Sequence, residues 1–492
     1  MTMTTLLLPR FFILESGGRY LRVTEASQPS LGLLKFDEEQ IWSPRVKFAV
    51  ERAETTSVDD VGQQLVHIRS CYNNKYWEAL PDKTTGLISA SGKKPEEDRS
   101  KVSCTLFEIE PVQGNTEALR LRFVQNGRKY AGRLLPDSTS NVAIHDGVTL
   151  SAMSSTLSEF NVINAETLVI LPKEVSFRSE DLDKNYLVSR TLDRWWPYQR
   201  FESGMDVGDP LVAKELSPLS NGNYRVYDLH FAKFWIRTDT DWVRADATPQ
   251  DTSNKDTFFE VVKVSDTIIS LRNLGNNKFC GAITKEGKDN CLIADYPNIS
   301  RQVRLMIHER VLRREITDIK YRLTDSRIYQ EEIQEVTHSF ANNDSETHES
   351  TVTLTYSVSE SKTTHWTNSM SISVGVSVGF EVSVVPLIVT GTVTTTTNFS
   401  DTYEWGVSET TETKRESTYT VVVPPLTSMK VTLMATKGAC DVPFSYTQTD
   451  LLTTGKTVST TKDDGLYTGI NSYNFHFQST KVTKDAQGRL LF

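Results

Sequence analysis

The stretch MSISVGVSVGFEVSV, Met370 to Val384, alternates apolar with small polar residues along its whole length. Consecutive side chains of a strand point to opposite faces. One face therefore carries Met370, Ile372, Val374, Val376, Val378, Phe380, Val382 and Val384, and the other Ser371, Ser373, Gly375, Ser377, Gly379, Glu381 and Ser383. Beyond Val384-Val385-Pro386-Leu387 a second arm repeats the pattern more loosely. It has Leu387, Val389, Gly391 and Val393 on one register, Ile388, Thr390, Thr392 and Thr394 on the other, and ends in Thr395-Thr396-Thr397. The spacing predicts an amphipathic β-hairpin over 370–397 with its turn at Val384–Leu387. A tilted strand that spans a bilayer needs roughly 9 to 11 residues, apolar toward lipid and polar toward a lumen, and both arms are long enough. On this reading the apolar register, completed by Leu387, Val389 and Val393, faces lipid. Ser373, Ser377, Glu381, Thr390, Thr392 and Thr394 face the lumen.

A surface hairpin of a β-sandwich would alternate in the same way. Two features favour the bilayer: the tip Val384–Val389 is apolar where a water-exposed hairpin would place Asn-Gly or Asp-Gly, and only Glu381 ionises on the polar register. One hairpin cannot enter hydrocarbon alone, because its edge N–H and C=O groups would be unpaired. Several copies of the chain must pool hairpins into a closed barrel, so a homo-oligomeric ring is part of the expectation. The aromatics Trp366, Phe399, Tyr403 and Trp405 bracket the segment where an interfacial belt would lie. Long strands rich in Thr and Ser precede it from Ile316 to Ser361, and the charged run Glu409–Glu416 follows it.

At 492 residues the chain is too long for one core and is expected to hold about three domains. Its net charge is −9 with no sustained basic run, so nucleic acid is not an expected partner and anionic lipid is not the targeting cue. No apolar run approaches the roughly 18 residues of a transmembrane helix. Met1–Leu14 has one Arg after a short apolar patch broken by Pro9 and no cleavage signature after it, so no signal peptide and a cytoplasmic location are expected. The cysteines Cys71, Cys104, Cys280, Cys291 and Cys440 are odd in number and lack CxxC spacing, which predicts reduced thiols rather than disulfides or a zinc site. The sequons at Asn298, Asn343 and Asn398 are then chance matches.

The first 310 residues carry a second signal. Six copies of a short motif recur: Gly18-Arg19-Tyr20-Leu21, Asn74-Lys75-Tyr76-Trp77, Arg128-Lys129-Tyr130-Ala131, Lys184-Asn185-Tyr186-Leu187, Ala232-Lys233-Phe234-Trp235 and Asn277-Lys278-Phe279-Cys280. Their aromatics lie 56, 54, 56, 48 and 45 residues apart. A repeat near 50 residues made of short strands implies a closed pseudo-symmetric all-β architecture. Six units make two threefold barrels (β-trefoils) or one six-bladed propeller. The interruption over Met153–Lys173 and the restart at Val175–Leu187 favour two trefoils.

Turns that set aromatics beside amides suit sugars, which stack a C–H face on a ring and hydrogen-bond their hydroxyls. Asn73-Asn74-Lys75-Tyr76-Trp77 is the first candidate site, since an amide pair precedes two adjacent aromatics of which only one should point inward. Trp195-Trp196 is the second. Most of the recurring aromatics are expected to be repeat core. Catalytic patterns fail on context. Gly375-Val376-Ser377-Val378-Gly379 matches GxSxG but lies inside unbroken strand alternation. Gly455-Lys456-Thr457 lacks the earlier glycine of a phosphate loop, whose place Asp450 takes, and no HExxH pair occurs among the eight histidines. No enzyme activity, cofactor or metal is expected.

With these residues in view, residues 1 to about 305 resemble the tandem agglutinin domains of amaranthin-type plant lectins, most tellingly at Asn73–Trp77. Residues from about 310 resemble an aerolysin-type pore-forming module. The matching features are Arg314-Glu315-Ile316-Thr317-Asp318-Ile319-Lys320-Tyr321, the amphipathic hairpin, Val422-Val423-Pro424-Pro425 and Asp441-Val442-Pro443-Phe444-Ser445-Tyr446. The resemblance implies an all-β chain of two trefoils (1–153 and 173–308, joined by a linker at 154–172) followed by an elongated antiparallel β-module (309–492). It also implies galactose or N-acetylgalactosamine-type glycans on glycoproteins, a lectin dimer with Asn74, Lys75 and Tyr76 as one wall of an intersubunit site, and a defensive role. The rival expectation is a lectin whose C-terminal module only oligomerises or signals.

Overall fold

The computed structural model describes residues 8–25, 32–54, 64–80, 86–125, 127–136, 144–366, 376–380, 382–397, 405–484 and 490–491. Among them the regular elements are β-strands and short 3-10 turns, with no α-helix. By contact density the chain divides into two units: residues 1–315 with 368–379 and 448–460, and residues 316–367, 380–447 and 461–492.

The six-copy motif has a backbone cause. The first residue of every copy is left-handed: φ is +73° at Gly18, +56° at Asn74, +56° at Arg128, +60° at Lys184, +52° at Ala232 and +58° at Asn277. Each ends a tight turn between two antiparallel strands, and the basic or polar residue and aromatic after it enter the second strand. The acceptor that opens several of these turns is a side chain: Ser70 takes the Tyr72 N–H, Ser179 that of Asp181, and Asn273 that of Gly275.

Each motif belongs to a four-stranded unit. The first unit is Phe11–Ser16, Arg19–Val23, Leu34–Glu38 and Phe48–Arg52. Its first strand pairs the second and fourth, the second pairs the third, and the fourth pairs Leu65–Ser70 of the next unit. The scheme repeats through Leu106–Val112 on Asn115–Phe123, and Phe160–Asn164 returns to Phe11–Ser16. The first circuit therefore closes after three units and twelve strands. A second twelve-stranded circuit starts at Glu174–Ser179 and closes on it through Leu305–Glu309, which rules out one ring of six. Phe160–Asn164 lies in the stretch expected as a linker. It is instead the closing strand, with Phe160 buried and stacked 5.1 Å from Phe36.

Each circuit has its own core. Trp77 lies edge-on to Phe48 (5.1 Å) and Phe107 (5.8 Å) in the first; Trp235 packs beside Phe177 and Phe259 in the second. Trp42 docks one circuit on the other, its indole N–H donating to Leu219 O at 2.8 Å and its ring 5.4 Å from Tyr224. Near the end of the second circuit Arg314 is buried with a fork of bonds to Asp450 (2.7 and 2.9 Å) and to Glu309. The two carboxylates raise its pKa above the ordinary guanidinium value against the opposing effect of burial, so Asp450 is an ion-pair partner and not part of a phosphate loop.

The second unit is built on long antiparallel strands. The sheet runs in the order Ser377–Phe380, Val311–Tyr321, Thr427–Leu452, Thr457–Lys484, His348–Trp366 and Glu409–Val423, with Arg327–Asn342 also on Thr427–Leu452. Val352, Leu354, Tyr356 and Val358 are buried against Val421, Val423, Val431 and Leu433, while Thr351, Thr353 and Thr355 alternate with them on the exposed face.

Here the structure corrects the expected hairpin. Met370, Ile372, Ser373, Val374 and Glu381 lie outside the described residues. Val376–Val384 is not one strand: Ser377–Phe380 is a four-residue strand, which also removes the elbow a GxSxG serine needs. The turn is not at Val384–Leu387. Val385–Val389 pairs with Thr392–Thr396 around Thr390 (φ +47°) and Gly391 (φ +81°), two adjacent left-handed residues of the kind that close a two-residue hairpin. The Thr-Gly signal for this turn lay within the second arm.

An alanine in the left-handed region costs roughly 1 kcal/mol relative to glycine. Ala232→Gly is expected to raise the thermal midpoint followed by tryptophan fluorescence by about 1–3 °C, and Ala232→Val to lower it. A neutral or reversed order would show that the turn does not impose this conformation.

Candidate functional site

The hairpin Val385–Thr396 forms a two-stranded sheet of its own, separate from the eight-stranded sheet. Side chains fasten it. Asn471, on the Thr457–Lys484 strand, takes the Ile388 N–H with its carbonyl oxygen at 3.3 Å and donates its amide to Ile388 O at 2.9 Å. The carboxamide thus replaces one rung of a strand ladder. Tyr467, from the same strand, donates its hydroxyl to Pro386 O at 2.8 Å. Val385, Ile388, Tyr467 and Asn471 are buried. Ile388 rests on Gly438, where a Cβ would stand 2.8 Å from its terminal carbon. Toward the other end Phe380 lies edge-on to Trp405 at 5.2 Å, which in turn packs on Phe444 and Tyr446.

This arrangement inverts the expected faces. Ile388, assigned to the polar register, is buried, and Val389 of the apolar register is 44% exposed. Val376, Val378, Val382, Val384, Leu387 and Val393 are half-buried, and Thr390, Thr392 and Thr394 are exposed. Ser377 falls in a strand. Trp405 belongs to a packed aromatic cluster; Phe399 and Tyr403 lie outside the described residues.

The candidate sugar site at Asn73–Trp77 requires a correction. Register shifts between Tyr76 and Trp77 where their strand meets Ile88–Gly92, so a β-bulge turns both aromatics inward. They are 1% and 0% exposed, and Tyr76 spends its hydroxyl on Glu51 at 2.7 Å. Asn74 is buried with its oxygen on Arg69, and Asn73 donates to Ala90 O while accepting the Lys75 N–H. No ring face is left for a sugar. The same irregularity recurs at Phe234/Trp235 and Phe279/Cys280, so the bulge belongs to the repeat.

Trp195 and Trp196 are placed differently. They follow Asp193 and Arg194, both left-handed (φ +51° and +75°), at the tip of the hairpin formed by Tyr186–Leu192 and Trp196–Glu202. Trp195 is 84% exposed and Trp196 44%. Arg244 lies 4.1 Å from the Trp196 ring centroid. Lys288 pairs with Asp193 at 3.0 Å, Tyr198 donates its hydroxyl to Asp193, and the Trp242 N–H reaches Glu286 at 3.2 Å. The bond from Lys288 holds the Asp193 carboxyl below the ordinary carboxylate range. Sequence reasoning missed Asp193, Arg244, Glu286 and Lys288. They are far apart in the chain and converge because the third strands of the three units, Trp196–Glu202, Val243–Ala247 and Lys288–Tyr296, pair together.

Two family models match the chain, one for an Agglutinin domain over residues 6–137 and one for the Aerolysin toxin over residues 299–451. One stretch of this chain is thus similar to an agglutinin domain and another to an aerolysin toxin. Among solved structures, the lamprey immune protein is similar at 12% identity over 64% of this chain and 91% of that one, with a TM-score of 0.30. A mosquitocidal holotoxin is similar at 9% identity over 65% of this chain, which spans 37% of the toxin's length, with a TM-score of 0.29. The designed threefold-symmetric protein ThreeFoil is similar at 13% identity over 27% of this chain and 96% of that one, with a TM-score of 0.23. Comparison with curated proteins returns no match.

The agglutinin match lies within the first circuit and the aerolysin match takes in the fastened hairpin. No helix among the described residues is long and apolar enough to cross a membrane. Breaking the Asn471 rung would leave both backbone groups of Ile388 buried and unpaired, at roughly 1–3 kcal/mol. Asn471→Leu is expected to speed amide exchange at Ile388 about 10- to 100-fold while the Val431 and Leu433 amides of the neighbouring sheet are unaffected. Unchanged exchange at Ile388 would show that the hairpin is held by something else.

Proposed function

We propose that this chain is a glycan-binding lectin whose C-terminal module perforates bilayers as a homo-oligomeric β-barrel. The observation that carries the reading is that the hairpin Val385–Thr396 is fastened by side chains and not woven into the main sheet, while Ser377–Phe380 joins that sheet only as its edge strand, so the segment can leave without separating the sheet's inner strands. Released, its apolar register (Val376, Val378, Phe380, Val382, Val384, Leu387, Val389 and Val393) faces lipid, and Thr390, Thr392 and Thr394 face the lumen. Edge pairing between neighbouring copies satisfies the backbone that a single hairpin would leave open. The closed circuits act as two β-trefoils, the first running to Asn164 and the second over 173–308, ahead of the module at 309–492.

Glycan contact falls to the second circuit. Trp195 and Trp196 offer ring faces, and Asp193, Arg194, Arg244, Glu286 and Lys288 offer hydrogen-bonding partners for sugar hydroxyls. The ligands are galactose or N-acetylgalactosamine-type glycans on glycoproteins of a target surface. The lectin acts as a dimer before the larger ring forms, and the chain serves in defence from a cytoplasmic store.

Two measurements test the two halves. Val376→Asp sets a carboxylate against lipid at about 2 kcal/mol per subunit, and dye release from liposomes bearing a galactosylated glycoprotein should fall at least tenfold; undiminished leakage would defeat the pore. Trp195→Ala should lose at least tenfold in glycan-array signal with its thermal midpoint unchanged, since the side chain is exposed, whereas Tyr76→Ala should lower the midpoint. Full glycan binding by Trp195→Ala would move the sugar site elsewhere.

A further inference from the structure

The tryptophan platform of the second circuit stands on a floor whose cations are under-used. Three strands, one from each unit, meet there in pairs: Tyr198 faces Arg244, Arg200 faces Cys291, and Trp242 bridges to Ile293. Tyr198, Trp242, Cys291 and Ile293 are buried together, with the Tyr198 and Trp242 rings edge-on at 6.0 Å. Arg200 and Arg244 each lie two residues beyond one of these aromatics. We infer that the platform is built for an acidic sugar, a galactose-type ring carrying a carboxylate or a sulfate ester, with Arg244 as the residue that reads the charge. The inference rests on the glycan reading above and adds the charge of the ligand.

Other arginines of this circuit are well engaged. Arg190 forks onto Glu202 at 2.9 and 2.7 Å, Arg237 bonds Asp241 at 2.7 Å and Asp256 at 2.8 Å, and Arg225 reaches the carbonyls of Thr248 and Pro249 at 3.0 and 3.3 Å. Arg244, by contrast, stops 3.6 Å from Asp246, and Arg200 stops 3.7 Å from Glu202. Both separations exceed a hydrogen bond. Among the described residues the buried Nε of each has no hydrogen-bond partner. A guanidinium presents its donors as a planar fork that two oxygens of one anion can fill at once. The apolar floor beneath strengthens any charge-assisted bond made above it.

The acceptors are already in use. Asp193 Oδ2 takes the Lys288 ammonium at 3.0 Å and the Tyr198 hydroxyl at 3.2 Å, and Glu286 takes the Trp242 N–H. Asp193 keeps Oδ1 for a ring hydroxyl. What the site has in surplus is donors, and a carboxylate or sulfate brings acceptors alone. A neutral sugar would leave the two guanidiniums as they are.

Arg244 also directs where the ring stacks. Its guanidinium lies 4.1 Å from the Trp196 ring centroid and takes one face of that indole, while Trp195 beside it is exposed. A galactose ring stacks through its C–H groups, with C6 at the rim of the stacked patch. A charged group on C6 therefore lies at the edge of the aromatic platform, where a guanidinium packed on the neighbouring indole can meet it.

The test uses the full chain and immobilised galactose, galacturonate and galactose 6-sulfate at equal density. Wild type should hold the acidic sugars at least tenfold more tightly than galactose, and raising salt from about 0.05 to about 0.5 M should remove most of that preference. Arg244→Gln should abolish the difference between acidic and neutral sugars, and Arg244→Lys, which keeps the charge without the fork, should fall between. Asp246→Asn removes the nearby carboxylate from a half-exposed position and should raise acidic-sugar binding, which keeps the inference open to refutation if Arg244→Gln does not fold. Preference for galacturonate alone, or for the sulfate ester alone, supports the site and names its anion. Equal binding of all three sugars at every salt concentration, still lost in Trp195→Ala, overturns the charge reading and leaves the glycan site standing. Acidic-sugar binding that survives both Trp195→Ala and Arg244→Gln overturns the inference by placing the anion elsewhere, and absence of binding to all three sugars removes both readings.

Discussion

A strand satisfies its backbone only by having neighbours, and this all-β chain meets that demand in two ways. The two twelve-stranded circuits close on themselves: Phe160–Asn164 returns to Phe11–Ser16, and Leu305–Glu309 to Glu174–Ser179. The second unit does not close among the described residues. Glu409–Val423 ends its sheet, with Glu412, Lys414, Arg415 and Glu416 exposed along it. Charged side chains on an edge discourage casual strand addition in water. An open edge cannot persist in hydrocarbon, so the pore proposed above would need the edges of several chains to pair.

Fold class was legible because its signals are local. Period-two alternation marks strands, and the six-copy motif marks turns that end on a left-handed residue in every copy. What sequence could not supply were events between strands. Two adjacent aromatics should alternate in and out, yet a one-residue bulge sent Tyr76 and Trp77 both inward and removed the expected sugar platform. The residues around Trp196 come from three strands that only tertiary pairing gathers. The hairpin shows a related limit. Its alternation describes one two-faced strand, whereas the structure obeys a competing local signal, Thr390-Gly391, together with a distant partner, Asn471, that no spacing rule could nominate.

Most of the eight-stranded sheet is held by repeated backbone rungs, each supported by the next, so no single side chain decides its survival. The hairpin is held by a few specific contacts: an amide, a phenol, an aromatic cluster and one well-seated isoleucine. Such contacts break together and at modest free energy. A segment fastened in this way can be set free while the sheet beneath it keeps its pairing.

The seat of Ile388 has a consequence of its own. It exists because Gly438 has only hydrogen where other residues carry carbon, with the Tyr473 ring closing the same space 2.8 Å from where a Cβ would be. One added methyl would leave the isoleucine nowhere to rest, so the seating of the hairpin depends on an atom the protein does not have. If the segment inserts as proposed, a variant that filled that space would have lost the hairpin's seat before any bilayer was near.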